Sequence, residues 1–278
     1  MLTIFTIPKP FRGQIRTIQR NAIQSWLALK PPCEIILFGD DEGIAETAKE
    51  FGMLHIPGIQ KNEYGTPLLN STFILSQQKA KNETLVYVNA DIILFQSLIA
   101  AVEKIKKPFY LMSGRRWDLM IEQEIDFLKP DWQNELLSKL EREGRLHGSS
   151  GIDYFVFPRQ LEHDMPSFAV GRPGWDNWFI YAMRAQKIPV VDATAAITII
   201  HQNHPAVYRI QDAESQRNCQ LAGGLTRMLC LRDADWILYP YGLSRPRLAR
   251  RVYCSVSASY PWRTMLGFKR NLQRMFSV

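Results

Sequence analysis

The chain has 278 residues, 46% of them hydrophobic and 22% charged, which is enough apolar material for one large α/β domain or two small ones. Four cysteines (Cys33, Cys219, Cys230 and Cys254) lie far apart with no C-x-x-C spacing, which argues against a zinc knuckle or a disulfide framework and for a reducing compartment. The charge of +7 is unevenly placed: eight basic residues and no acidic one follow position 235, against 26 basic and 27 acidic residues before it.

A strand over residues 2–7 opens the chain and is halted by Pro8 and Pro10; it lacks the basic and apolar regions of a secretory leader. Ile15, Ile18, Ala22, Trp26 and Leu29 share one face of a helix over 13–29. A strand at 34–38 closes on Gly39-Asp40-Asp41, followed by a short helix at 43–51 and a brief strand at 54–56. A helix at 66–81 leads to a strand at 84–89, then a helix at 96–106 and a strand at 109–113. Helices are expected over 117–128 and 132–143, a strand at 152–157, a helix at 175–186, and strands at 189–191 and 196–201. This alternation predicts an α/β fold with a mostly parallel sheet. No apolar stretch approaches the roughly 20 uncharged residues needed to cross a bilayer. The expected organisation is a catalytic α/β domain over 1–235 and a basic, aromatic-rich appendage over 236–278.

The run Thr84-Leu85-Val86-Tyr87-Val88-Asn89-Ala90-Asp91 is apolar and β-branched until it ends in a carboxylate. Ligands of open α/β sheets bind beyond the carboxyl ends of the strands, so Asp91 stands where a divalent cation or polar ligand is expected, or else caps the next helix. A hard cation such as Mg²⁺ or Mn²⁺ takes one or two carboxylates plus substrate phosphates, and Asn89 adds only a neutral oxygen. A second apolar strand ends in His201-Gln202-Asn203-His204, whose imidazoles can ligate a metal. Asp40 or Asp41 can accept from the ring N–H of a pyrimidine, or simply close a solvated turn. Asp176 opens a helix between Trp175 and Trp178, an environment suited to a general base or to sugar faces, with a capped helix start as the alternative. Asp153 fits a sugar hydroxyl or a turn, and Arg115 and Arg116 fit a diphosphate or a surface pair with Asp118. The chain carries no G-x-G-x-x-G, no G-x-x-x-x-G-K-[ST] and no G-x-S-x-G, which removes the main support for dinucleotide oxidoreductases, P-loop NTPases and α/β-hydrolases.

Taken in order, these pieces resemble the GT-A fold of nucleotide-diphospho-sugar glycosyltransferases, in a family-2-like variant, over about residues 1–205. The resemblance implies that Thr6 and Ile7, with Asp40 or Asp41, line the nucleoside pocket. It puts Asn89 and Asp91 at the D-x-D positions, with Asp91 as metal ligand and Asn89 on the donor, beside Arg115 as read from its own segment. Asp176 matches the carboxylate that deprotonates the acceptor and His201 or His204 completes the metal site, while Asp153, Trp175 and Trp178 are expected from their own settings to face acceptor or sugar. Mn²⁺ or Mg²⁺, a nucleotide-diphospho-sugar donor (a UDP-sugar favoured) and a glycan or other hydroxyl acceptor are the implied partners. Asn89 departs from the family's carboxylate, and Gly174-Trp175-Asp176 lacks its usual acidic neighbour. The rival readings are a non-catalytic nucleotide-sugar or glycan-binding module and, for want of a phosphate loop after the first strand, less favourably a nucleotidyltransferase. The tail interleaves aromatic and basic residues, so peripheral attachment to an anionic, cytoplasmic membrane face is expected, and nucleic acid is not.

Overall fold

The structure, a computed structural model, describes residues 1–204 and 212–246. Strand and helix alternate at first: β1 (Leu2–Thr6), α1 (Gly13–Leu27), β2 (Glu34–Phe38), α2 (Ile44–Glu50), β3 (Leu54–Ile56), α3 (Leu69–Lys79) and β4 (Thr84–Val88). There follow β5 (Ile92–Leu94), α4 (Ser97–Val102), β6 (Leu111–Ser113), β7 (Trp117–Leu119), α5 (Trp132–Glu143), β8 (Arg145–Leu146) and β9 (Tyr154–Pro158). The last described elements are α6 (Trp175–Ala185), β10 (Val190–Asp192), β11 (Ile199–Gln202), α7 (Ala213–Leu221), β12 (Trp236–Tyr239) and β13 (Gly242–Ser244).

The main sheet runs β13-β12-β10-β6-β9-β4-β1-β2-β3. It is parallel except where β9 lies antiparallel between β4 and β6, and where β13 folds back on β12. Helices cover both faces, which is why β1 is buried along its whole length rather than alternating with water. On one face Ile4, Val86, Val88 and Met112 meet Ala22 and Trp26 of α1 and Leu98 of α4. On the other, Phe5, Tyr87, Phe155 and Phe157 meet Phe73 of α3 and Phe179 of α6. There the Phe73 ring stacks on Phe157 at 5.6 Å and takes Phe5 and Phe179 edge-on at 5.2 and 5.7 Å. Offset and edge contacts of this kind suit the aromatic quadrupole.

A second sheet, β5-β11-β7-β8, was not foreseen. It packs Ile93, Leu119 and Ile200 against Trp132, Leu136 and Leu140 of α5. The helix expected over 117–128 is instead β7 followed by irregular chain. Trp117 and Leu119 alternate with Arg116 and Asp118, a two-residue period that pairs with β8 and β11. The boundary expected at 235 also does not separate sheet from appendage, because β12 pairs in parallel with β10 and Leu238 is fully buried. Residues 247–278 lie outside the described residues. Among the described residues no helix is long and apolar enough to cross a membrane.

Candidate active site

The parallel strands β1, β2, β4 and β6 end at one rim, and the candidate residues gather beyond it. After β4 the chain turns through Asn89-Ala90-Asp91 into β5, with the Ile92 N–H donating to the Asn89 carbonyl at 3.1 Å. Strand pairing then sets the chemistry: β11 places His201 opposite Ile92 on one side and opposite Asp118 of β7 on the other. Buried Gln202 fixes β11 against α1 by donating to the Ile18 carbonyl at 2.8 Å and accepting from Asn21 at 3.0 Å. Residues 110 positions apart thereby become neighbours.

The Asp91 Oδ2 lies 3.1 Å from His204 Nε2 and 3.7 Å from His201 Nε2. Burial works against ionising Asp91, yet the His204 hydrogen bond and the nearby His201, Lys9 and His204 charges outweigh it and lower its pKa. One ligand atom from each of Asp91, His201 and His204 lies within 4.8 Å of the others, a group able to hold a metal ion. Its other carboxylate oxygen, Asp91 Oδ1, is buried with no hydrogen-bond partner, which fits a site completed by a cation. A donor set of one carboxylate and two imidazoles suits Mn²⁺ better than Mg²⁺, which prefers an all-oxygen octahedron.

Asp118 extends the cluster. Its Oδ1 is 3.5 Å from His201 Nδ1, its Oδ2 meets His147 Nδ1 at 2.8 Å, and Arg116 Nε donates to it at 2.9 Å. The 3.5 Å approach lacks hydrogen-bond geometry, so it is an electrostatic neighbour rather than a bond. Burial disfavours the Asp118 anion, but His147, Arg116 and His201 prevail and lower its pKa. Arg116 Nη1 also grips both oxygens of Asp153 at 2.8 and 3.0 Å. Asp153 further accepts from Asn89 Nδ2 at 2.7 Å, and Asn89 Oδ1 accepts from the Tyr87 hydroxyl at 3.0 Å. Burial first, then the charges of Asp91, Asp153 and Asp176, keep the Tyr87 phenol protonated.

Asp176 sits in the first turn of α6, which starts at Gly174 with φ +105°, a backbone conformation that favours glycine. Burial, with Asp153 adding to it, pushes the Asp176 carboxyl up to about 7 against the pull of the backbone N–H groups of Asn177, Asp176 and Gly174. A carboxyl held there can take or give a proton near neutrality.

The other expected residues divide. Thr6, fully buried with a hydroxyl lacking a partner, and Ile7 lie at the end of β1 beside Gly39, whose φ of +111° turns the chain sharply out of β2. Asp40 accepts the Gly58 N–H with both oxygens at 2.9 and 3.0 Å, and Asp41 faces Lys61 at 3.6 Å. These four share the rim with Asp91 but belong to its β1–β2 end. Arg115 donates from Nε to the His147 carbonyl at 2.6 Å, bracing a loop, while Arg116 holds the carboxylates. Trp175 and Trp178 are corrected: both are core, Trp175 edge-on to Tyr87 at 5.1 Å and Trp178 against Phe168 at 5.3 Å, so neither offers a face to a sugar. A helix that begins on the inner side of the rim turns its first-turn aromatics inward. Arg116, expected on a diphosphate or in a pair with Asp118, does pair with Asp118, whereas His147 and Tyr87 are not singled out by the sequence. A cavity of about 750 Å³ between residues 120–126 and α5 is lined by none of these residues.

Neither a protein-family model nor a curated protein matches the sequence. Among solved structures, GalNAc-T7 with UDP, GalNAc and Mn²⁺ is similar at 16% identity and TM-score 0.47, over 80% of this chain. The chain spans 48% of that protein's length. TarS of S. aureus (residues 1–349, with UDP-GlcNAc) is similar at 12% identity and TM-score 0.46, over 82% of this chain and 72% of its own. Glucosyl-3-phosphoglycerate synthase from Mycobacterium tuberculosis, with Mg²⁺ and UDP, is similar at 12% identity and TM-score 0.45, over 81% and 80%.

Proposed function

We propose that this chain is a GT-A-type glycosyltransferase that moves a sugar from a nucleotide-diphosphate donor to a hydroxyl acceptor. What supports this reading is the Asp91–His201–His204 group past the end of β4, together with a carboxyl near neutrality at Asp176, both of whose charges act on Tyr87. Asp91, His201 and His204 would hold a divalent cation, Mn²⁺ by the donor chemistry, and such an ion offsets charge on a departing diphosphate. Thr6, Ile7, Asp40 and Asp41 would receive the nucleoside, for which a uridine diphosphate is the favoured partner. Asp176 would take the acceptor's proton. Arg116 and Asn89 hold Asp153, and Tyr87 holds Asn89 in turn, a fixed arrangement that would limit reorganisation during reaction.

The Asn89 carboxamide, bonded to both Tyr87 and Asp153, favours the second reading, a nucleotide-sugar binder without transfer activity. Calorimetry and product analysis separate the two: donor binding with no product under any hydroxyl acceptor supports the binder. Under the transferase reading, Asp91→Ala removes the Mn²⁺-dependent rise in melting temperature on adding a UDP-sugar, and transfer with it. Full transfer and unchanged donor affinity in that variant would end the proposal.

A further inference from the structure

Strand β12 runs parallel to β10, and β10 parallel to β6, so the β12–β13 turn lies at the same end of the sheet as Ser113 and Arg116. The segment after α4 is fastened to this turn by Lys104 Nζ, which donates to the Pro240 carbonyl at 2.6 Å. Trp236 gathers two cations, with Lys107 Nζ 4.2 Å and the Arg245 guanidinium 4.1 Å from its ring centroid. Tyr239 and Tyr241 stack in parallel at 5.1 Å, and Tyr241 is 82% exposed. Phe109 and Lys106 are exposed as well. Glu103 is the single acid among residues 97–109, and residues 236–246 contain none. Seven further basic residues and no acid follow position 246.

We propose that this edge, built from β12, β13 and the end of α4, is a docking surface for the anionic headgroups of a membrane. Cations held over an indole, next to exposed phenol and phenyl rings, combine the two contributions of interfacial binding: attraction to negative lipid and burial of amphipathic rings at headgroup depth. The patch is preformed by the Lys104–Pro240 bond and the cation–ring contacts, so little ordering is lost on contact. Its tyrosine turn lies at the active-site end of the sheet, while Trp236 with its two cations lies at the opposite end of β12, so the patch runs along the sheet edge. Its charge complementarity selects anionic over zwitterionic lipid.

Co-sedimentation of the full chain with vesicles of phosphatidylcholine alone, and with phosphatidylserine added, tests this. Binding is expected only to the anionic vesicles and to weaken as salt rises. The variant Lys106→Gln/Lys107→Gln/Arg245→Gln keeps every residue after 246 and should bind about 100-fold more weakly, at about fivefold per charge. Tyr241→Ser, with its charge unchanged, should bind more weakly than the parent. Parent-like binding by the triple variant, equal binding to both vesicle types, or a Tyr241-dependent dimer in light scattering would each overturn the assignment. So would transfer of the bound protein from vesicles to a duplex oligonucleotide at matched phosphate. Donor-induced thermal shift should be the same in all variants, so a failure here is distinct from a failure of the transferase reading.

Discussion

Asp176 shows how a single side chain carries a testable proton balance. Its native carboxyl titrates near 7, raised mainly by burial, whereas an unfolded Asp ionises near 3.9. Native protein therefore holds a proton that the unfolded chain has released between those values. The resulting stability is complete below about pH 4 and is lost as pH rises through about 7. Asp176→Asn should flatten this slope, which urea melts at pH 5 and pH 8 would show, with the variant the relatively more stable at pH 8. Transfer activity of the parent should rise with pH along a limb near 7, and the variant should lose that limb along with at least about 100-fold in rate. Arg116 makes the opposite case, a charge whose removal leaves others stranded. Asp153 is 7% exposed and relies on the guanidinium fork, so Arg116→Ala should cost about 3–5 kcal/mol in chemical denaturation. Arg116→Lys keeps the charge but not the fork, and should fall between the two.

Elements differ in how far the sequence reveals them, and the difference follows from where their partners lie. Strands β1, β2, β4 and β6 are dense apolar runs bounded by Pro, Gly or Asp, so local pattern suffices. Asp91, His201 and His204 are legible for a related reason: each stands at or just past the end of a buried strand, on a side chain packing would not select. Strand β7 is short and pairs with β11, some 80 residues on, so only the two-residue alternation of Arg116 and Asp118 marks it against the helical reading of 117–128. The Arg116–Asp118 pair is legible as a pair, but without β7 its link to Asp153 and His201 is not. Trp175 and Trp178 failed otherwise, because sequence does not say which side of a helix start faces the core. The second sheet also makes a prediction of its own. A cation held by Asp91, His201 and His204 would tie the β4–β5 turn to β11, so Mn²⁺ should slow amide exchange in Ile92–Leu94 and Ile199–Gln202. Exchange in β1 should not change, and Asp91→Ala should abolish the effect. Equal protection in parent and variant would place the cation elsewhere.

At the scale of the molecule, the question is where the folded body ends. Charge alone separates residues after 235 from the rest, and that boundary cuts through a sheet. Leu238 is fully buried, Trp236 packs under two cations, and Asp235, whose side chain accepts from the Val190 N–H at 3.0 Å, lies at the join. Ending the chain at 235 removes β12 and β13 and leaves β10 as an edge strand with buried Val190 and Val191 and unpaired backbone groups. Losing one fully buried leucine costs about 2–5 kcal/mol by analogy with core truncations, and the remainder of the strand adds to it. An exposed apolar edge is also a template for pairing with another chain. The truncation at 235 should therefore melt well below the full chain and show aggregates in size-exclusion chromatography. A truncation at 246 retains both strands, so comparing the two isolates their contribution from that of the basic residues beyond. If the 235 form melted with the full chain and stayed monodisperse, β12 would not belong to the cooperative unit, and the preformed basic edge argued from it would lose its support.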